Sequence, residues 1–304
     1  GWSYAVSALA DLHDENAIYL DTFIERTFDW APGGPSAITK PWVGFIHVPP
    51  NVQDWFQSHQ SNQAIFSSRV WQESLPFCRG LFTLSNYHRE VLAKTLNLPL
   101  DNLIHPTEIP EAQWSWDKFM ANREKKIIQL GWWLRKLHAI FQLPESDYRK
   151  VFLKVNNEDY LNALIEKEKQ LLLAAGEFRP GMYDTAETVS YLPNQQYDEW
   201  LSENNGFVYL YDSSANNAVI ECIARNTPLL VNPIPAVKEY RGEGYPFYYE
   251  NYEEAIAKAS DLDTVRKTYE YLRTNPVKKK LTGEYFRKSL VRSPIMKKAH
   301  RMAG

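Results

Sequence analysis

Six consecutive residues, Asp212-Ser213-Ser214-Ala215-Asn216-Asn217, place a carboxylate, hydroxyls and amides just ahead of a segment with helical periodicity. Such side chains cap helices and tolerate irregular backbone. A capped helix start also offers free N–H groups, which suit phosphate oxygens. Glu221 stands one turn further on, where a carboxylate would accept hydrogen bonds from a diol. A second set is Gly131-Trp132-Trp133-Leu134-Arg135-Lys136. Its glycine lets backbone and ligand approach closely, and Arg135 with Lys136 could pair with a diphosphate. Two cations opening a helix would oppose its dipole unless they face something negative. A third candidate is His47, which ends the apolar run Trp42–Ile46 and precedes Val48-Pro49-Pro50.

These residues stand at the ends of short apolar runs, and that position follows from the elements around them. Phe207 to Tyr211 reads as a buried strand, and Leu229-Leu230-Val231 as another. Between them Val219, Cys222 and Ile223 give a helix one apolar face, which Asn226-Thr227-Pro228 stops. Strand, helix and strand in so few residues imply a βαβ unit in a parallel sheet, whose ligands bind beyond the carboxyl ends of the strands. Further strands are expected at 16–20, 42–47, 80–84, 125–130, 151–155 and 188–192, with helices interleaved. The proline-bounded stretch 103–110 leaves a first domain. The expected division is 1–118, 119–275 and a basic helical tail, 276–304, packing back on the first domain. The fold class is therefore α/β, with two Rossmann-like domains of parallel sheet facing a cleft.

A chain of 304 residues accommodates two such domains, and 44% hydrophobic with 23% charged residues is the balance of a globular protein. No apolar run approaches the ~18 residues of a membrane span. Cys78 and Cys222 lie far apart in apolar contexts, as free thiols of a reducing, cytoplasmic compartment would. Residues 276–304 carry nine Lys or Arg against Glu284, a net +8; the whole chain is −3, which leaves −11 for residues 1–275. The tail could meet an anionic membrane or polyanion weakly, but Leu281, Tyr285, Phe286 and Leu290 are spaced to dock a helix. No nucleic-acid partner is expected. The chain opens at Gly1-Trp2 without an initiator methionine, as one domain of a longer polypeptide or a trimmed chain would.

The order of these motifs resembles the GT-B glycosyltransferases, in particular those with a group 1/family 4-like C-terminal domain. The resemblance rests on five stretches: Ile46-His47-Val48-Pro49, Leu84-Ser85-Asn86-Tyr87, Ile104-His105-Pro106-Thr107-Glu108, Gly131 with Arg135 and Lys136, and Ile220-Glu221 through Leu230-Val231. It implies that Gly131, Arg135, Lys136, Ser213, Ser214, Asn216 and Asn217 hold the donor diphosphate. It further implies that Glu221, with Tyr191, Leu192 and Tyr197, holds the ribose and base. Many retaining members carry two glutamates eight positions apart. Here Glu221 matches the second, whereas Ser213 stands at the first.

The expected activity is transfer of a sugar, a deoxyhexose among the candidates, from a nucleotide diphosphate sugar to a glycan hydroxyl. No metal and no cofactor beyond the co-substrate is expected. Ser213 tilts the expectation toward inversion, which needs a base in the first domain, and His47, Asp21 and Asp29 are the candidates. The alternatives are a nucleotide-sugar epimerase on the same architecture and a non-catalytic glycan-binding module.

Overall fold

The computed structural model describes residues 1–15, 17–154 and 158–303, with the side chains of 158 and 299–303 left out. Asn16 and Val155, the ends of two expected strands, lie outside the described residues.

Two parallel sheets form, each from short apolar runs. The first has β1 (Tyr19–Asp21), β2 (Trp42–Phe45), β3 (Cys78–Thr83) and β4 (Leu100–Asn102) in sequential order. Successive side chains of a strand point to opposite faces. Accordingly Trp42 and Leu81 pack with Phe28, Ile65 and Trp71 on one face. Val43, Phe45 and Phe82 pack on the other with Ala5, Phe286, Leu290 and Ile295. The C-terminal helices Gly283–Arg292 and Pro294–Ala303 thus cover the first sheet. Gly80 (φ +153°) admits them, because a Cβ there would meet the Ile295 side chain at 2.9 Å.

The second sheet has β5 (Lys126–Gln129), β6 (Arg149–Leu153), β7 (Glu187–Val189), β8 (Asn205–Val208) and β9 (Leu229–Val231), in the order β7-β6-β5-β8-β9. This is a doubly wound arrangement whose strand order reverses at β5, so a crevice opens beyond the ends of β5 and β8.

Apolar and polar contacts join the lobes. Phe56 of the first lobe packs on Leu134, Leu137, Leu161 and Leu164 of the second. The Asp212 carboxylate accepts hydrogen bonds from Asn51 N (3.0 Å), Asn51 Nδ2 (2.9 Å) and Tyr87 Oη (3.1 Å). Glu239 accepts from Asn86 N and Tyr87 N, the first N–H groups of helix Asn86–Leu92, where a carboxylate also meets the helix dipole. Among the described residues no helix is long and apolar enough to cross a membrane.

Candidate functional site

Two adjoining cavities occupy the crevice, and Trp133, Arg135 and Asn217 line both. The one on the second lobe, about 490 Å³, lies at the strand ends, against Gly131 after β5, Lys154 after β6, Tyr191 and Tyr197 beyond β7, and Glu221 beyond β8. The other, about 410 Å³, reaches into the first lobe against Trp2, Phe23, Trp30, His47 and His105. Both have the size of small-molecule sites.

Arg135 is the centre of the arrangement. It is only 7% exposed. Its Nη1 donates to Trp133 O (2.8 Å) and its Nη2 to Asn216 Oδ1 (3.2 Å), while the buried Nε has no partner. Among the described residues no carboxylate forms an ion pair with it. Burial pulls its pKa down to about 10, against the opposing pull of Tyr197 and Glu221. A buried cation held in no ion pair is costly, so the site is suited to an anion.

The backbone beneath is shaped for this side chain. Gly131 has φ +71°, and a Cβ there would lie 2.7 Å from Arg135 Cζ. Leu134 holds φ +51°, a conformation unusual for a non-glycine residue, and is fixed by its apolar neighbours across the lobes. Arg135 itself bridges Leu210 in an extended conformation, and a helix starts only at Ala139–Gln142. The expected clash of two cations with a helix dipole therefore does not arise. Lys136 points the opposite way, because neighbouring side chains of extended backbone alternate. Its Nζ lies 3.7 Å from Glu177 and 5.7 Å from the ring centroids of Tyr209 and Tyr252, outside both cavities.

The loop after β8 splits into two halves. Asn216 caps helix Asn217–Arg225 by accepting from Val219 N, and Asn217 and Ala218 line the cavity, so the unpaired N–H groups of the first turn open there. Ser213 and Ser214, by contrast, are buried away from both cavities. Ser213 N donates to Asp212 Oδ1. Ser214 Oγ accepts from Leu84 N (3.3 Å) and pairs with His88 Nδ1 (2.8 Å), whose other nitrogen pairs with Asn62. Ser214 thus fastens the lobes together, and neither serine faces the cavities.

Glu221 lines the second-lobe cavity, and its Oε2 accepts from Tyr197 Oη at 2.9 Å. Desolvation, then the Glu221 charge, raises the Tyr197 pKa well above its ordinary value, so the phenol stays a donor. Leu192 lines the same wall, and Tyr191 is 60% exposed at its rim.

Of the three candidate bases only His47 reaches a cavity. Its Nε2 lies 3.0 Å from Thr22 O, and its ring packs on Phe23 and Trp2. Burial lowers its pKa to about 3, so it is a neutral and feeble base. Asp21 is buried under the turn that follows it, where its Oδ1 accepts from Phe23 N. Asp29 pairs with His59 Nδ1 at 2.8 Å on the surface. Neither aspartate lines a cavity.

Sequence reasoning passed over Lys154, although a cation directly after an apolar strand was a visible signal. It also passed over Glu25, whose Oε1 accepts from His47 N (2.9 Å) and Val48 N (2.8 Å) and so fixes the His47 turn. No local signal marked that contact. Among the described residues no group of three potential metal ligands comes together.

No protein-family model matches the sequence, and no curated protein matches it either. Solved structures do match. A sucrose-phosphate synthase from Thermosynechococcus elongatus superposes with TM-score 0.62 at 13% identity, over 86% of this chain and 68% of that one. Anabaena HepE in complex with UDP-glucose gives 0.59 at 10% identity, over 83% and 71%. A trehalose-6-phosphate synthase studied for glycosyl transfer with retention gives 0.59 at 11% identity, over 98% and 77%. With two parallel-sheet lobes and a crevice between them, the chain has the GT-B fold of nucleotide-sugar glycosyltransferases.

Proposed function

We propose that the chain is a glycosyltransferase that moves a hexose or deoxyhexose from a nucleotide diphosphate sugar to a glycan hydroxyl. The observation that carries this reading is Arg135, a buried cation without an ion-pair partner among the described residues, set against the start of helix Asn217–Arg225. In this reading the diphosphate lies between Arg135, Lys154 and the N–H groups of Asn217 and Ala218. Glu221, oriented by Tyr197, accepts the ribose hydroxyls, and the base rests toward Tyr191 and Leu192. HepE was solved with UDP-glucose, so a uridine donor is the first to test.

The chemical step requires charge stabilisation where the glycosidic oxygen departs with the diphosphate. Arg135, Lys154 and the helix start supply it already in place, and this reading needs no divalent ion. Inversion would need a first-lobe base, and Asp21 and Asp29 stand outside the cavity while His47 is too weak. The reading is therefore retention. The acceptor hydroxyl attacks from the side the diphosphate leaves, the carbon–phosphate-oxygen bond breaks, and a diphosphate oxygen takes the acceptor proton. The trehalose-6-phosphate synthase match, a retaining case, supports the same choice.

Thermal shift with UDP, GDP and dTDP tests the donor site. Stabilisation by one of them at ~100 times its Kd should reach about 2.7 kcal/mol, and no stabilisation by any would overturn the reading. The anomeric configuration of the product, assigned by NMR, tests retention.

A further inference from the structure

The C-terminal end of the chain carries cations that the crevice does not use: residues 276–304 hold nine Lys or Arg against Glu284. Helix Gly283–Arg292 docks on the first sheet through Phe286 and Leu290, which are buried with Val43, Phe45 and Phe82. At about 100° per residue, its opposite face is centred on Lys288 and Arg292, with Tyr285 on one flank and Val291 on the other. Docking accounts for the buried stripe. It does not account for Tyr285 and Val291, which stay 37% and 49% exposed.

The neighbouring elements extend the same chemistry. The turn Pro276–Lys280 and helix Pro294–Ala303 both pack against this helix, and they bring exposed Lys279, Lys280, Lys297 and Lys298. With Arg292, these four are in no ion pair among the described residues. The acids of the region are Glu284, which pairs with Lys288, and Asp11, 3.9 Å from Arg287 and followed by Asp14 and Glu15. On β4, where the last helix packs, Asp101 accepts from Asn102 N. The cations remain in excess. The N-terminal helix Trp2–Ser7 lies alongside, with Tyr4 Oη accepting from Gly283 N (3.3 Å), and its segment leaves Val6 and Leu12 exposed.

We propose that this outward face rests on an anionic lipid membrane, with its lysines and arginines in the headgroup layer and Tyr285 and Val291 entering the interface between them. Helices that lie on bilayers bind through this combination of apolar side chains and cations. Each Lys or Arg near an anionic leaflet contributes about five-fold in affinity. A polyanion such as a nucleic acid would be held by the cations through its phosphates and would gain nothing from Val291. The exposed apolar pair is what favours the lipid surface.

The test is flotation of the whole chain with vesicles of phosphatidylcholine alone or with about 30% phosphatidylserine, at about 0.1 M salt, with immobilised heparin as the non-lipid polyanion. None of these cations and apolar side chains lines either cavity of the crevice, so the outcome does not depend on the glycosyltransferase reading. The chain should float only with the anionic vesicles, and raised salt should release it. Lys288→Gln with Arg292→Gln should weaken binding about 25-fold, and Tyr285→Ser with Val291→Ser about 10-fold, each with the melting temperature preserved. Flotation with neither vesicle, equal flotation with both, or full binding by either double variant would overturn the proposal. Heparin capture without flotation would assign the surface to a polyanion and overturn it as well.

Discussion

The two walls of the crevice are built from similar strand-end loops yet carry opposite chemistry. The second-lobe wall gathers Arg135, Lys154 and a helix start, all suited to anions, with Glu221 beside them. The first-lobe wall presents rings, amides and neutral histidines. The difference teaches that two similar sheet edges can present unlike surfaces: one offers a buried cation and a helix start, the other mainly rings and amides. The contrast recurs within the loop after β8, where Asp212 and Ser214 bind the other lobe while Asn216 and Asn217 face the cavities.

The largest expected effect breaks the charged wall at its support. Gly131→Ala places a methyl group on the Arg135 guanidinium and forces a left-handed φ, at a stability cost of about 1–2 kcal/mol. Donor kcat/KM should fall roughly 100-fold through the displaced arginine. A fall no larger than the stability loss explains would separate the glycine from the site.

Glu221→Gln keeps the shape but replaces a charged acceptor by a neutral one. It should raise donor KM about 10-fold with the melting temperature preserved, since a hydrogen bond to a charged group contributes ~1.5–3 kcal/mol. Unchanged donor kinetics would remove the ribose assignment.

Ser214→Ala sharpens the contrast between the halves of the loop. It strips Leu84 N and His88 of a buried partner and should cost about 1–3 kcal/mol in denaturant melts. Nucleotide affinity should remain within a few-fold. A large loss of affinity without loss of stability would return Ser214 to the ligand.

Much of this was legible in the sequence. Apolar runs of strand length alternated with helical periodicity, and polar residues fell at the run ends, so the fold and the location of the crevice followed. Gly131, Arg135, Asn216, Asn217 and Glu221 all reach the cavities for that reason. Side-chain direction was not legible. Arg135 and Lys136 diverge because an isolated β-bridge, invisible in periodicity, replaces the expected helix start. The partners of the buried Ser214 lie more than a hundred positions away, at Leu84 and His88. The π-helical turn Arg26–Trp30, which brings Trp30 to the first-lobe cavity, has no sequence signature at all.

The expected effect at Glu25 is a pH effect. Burial pushes its carboxyl up to about 8, against the bonds from Val48 N and His47 N that favour the anion. Its folded pKa thus lies above the unfolded value of 4.5, so its contribution is complete below that value and fades as pH rises toward 8. Glu25→Gln removes this titration. The melting temperature of the wild-type chain relative to Glu25→Gln should therefore fall by several degrees from pH 5 to pH 8. A difference that does not vary over that range would mean that Glu25 is already ionised at pH 5.

The central claim is that a buried arginine without an acidic partner awaits a diphosphate. Calorimetric affinities of UDP and uridine for the wild-type chain, Arg135→Ala and Lys136→Ala test it directly, with GDP and guanosine or dTDP and thymidine used if that base is selected. The advantage of diphosphate over nucleoside should collapse roughly 100-fold in Arg135→Ala and stay intact in Lys136→Ala. An advantage that survives in Arg135→Ala, or collapses equally in both variants, would contradict the account.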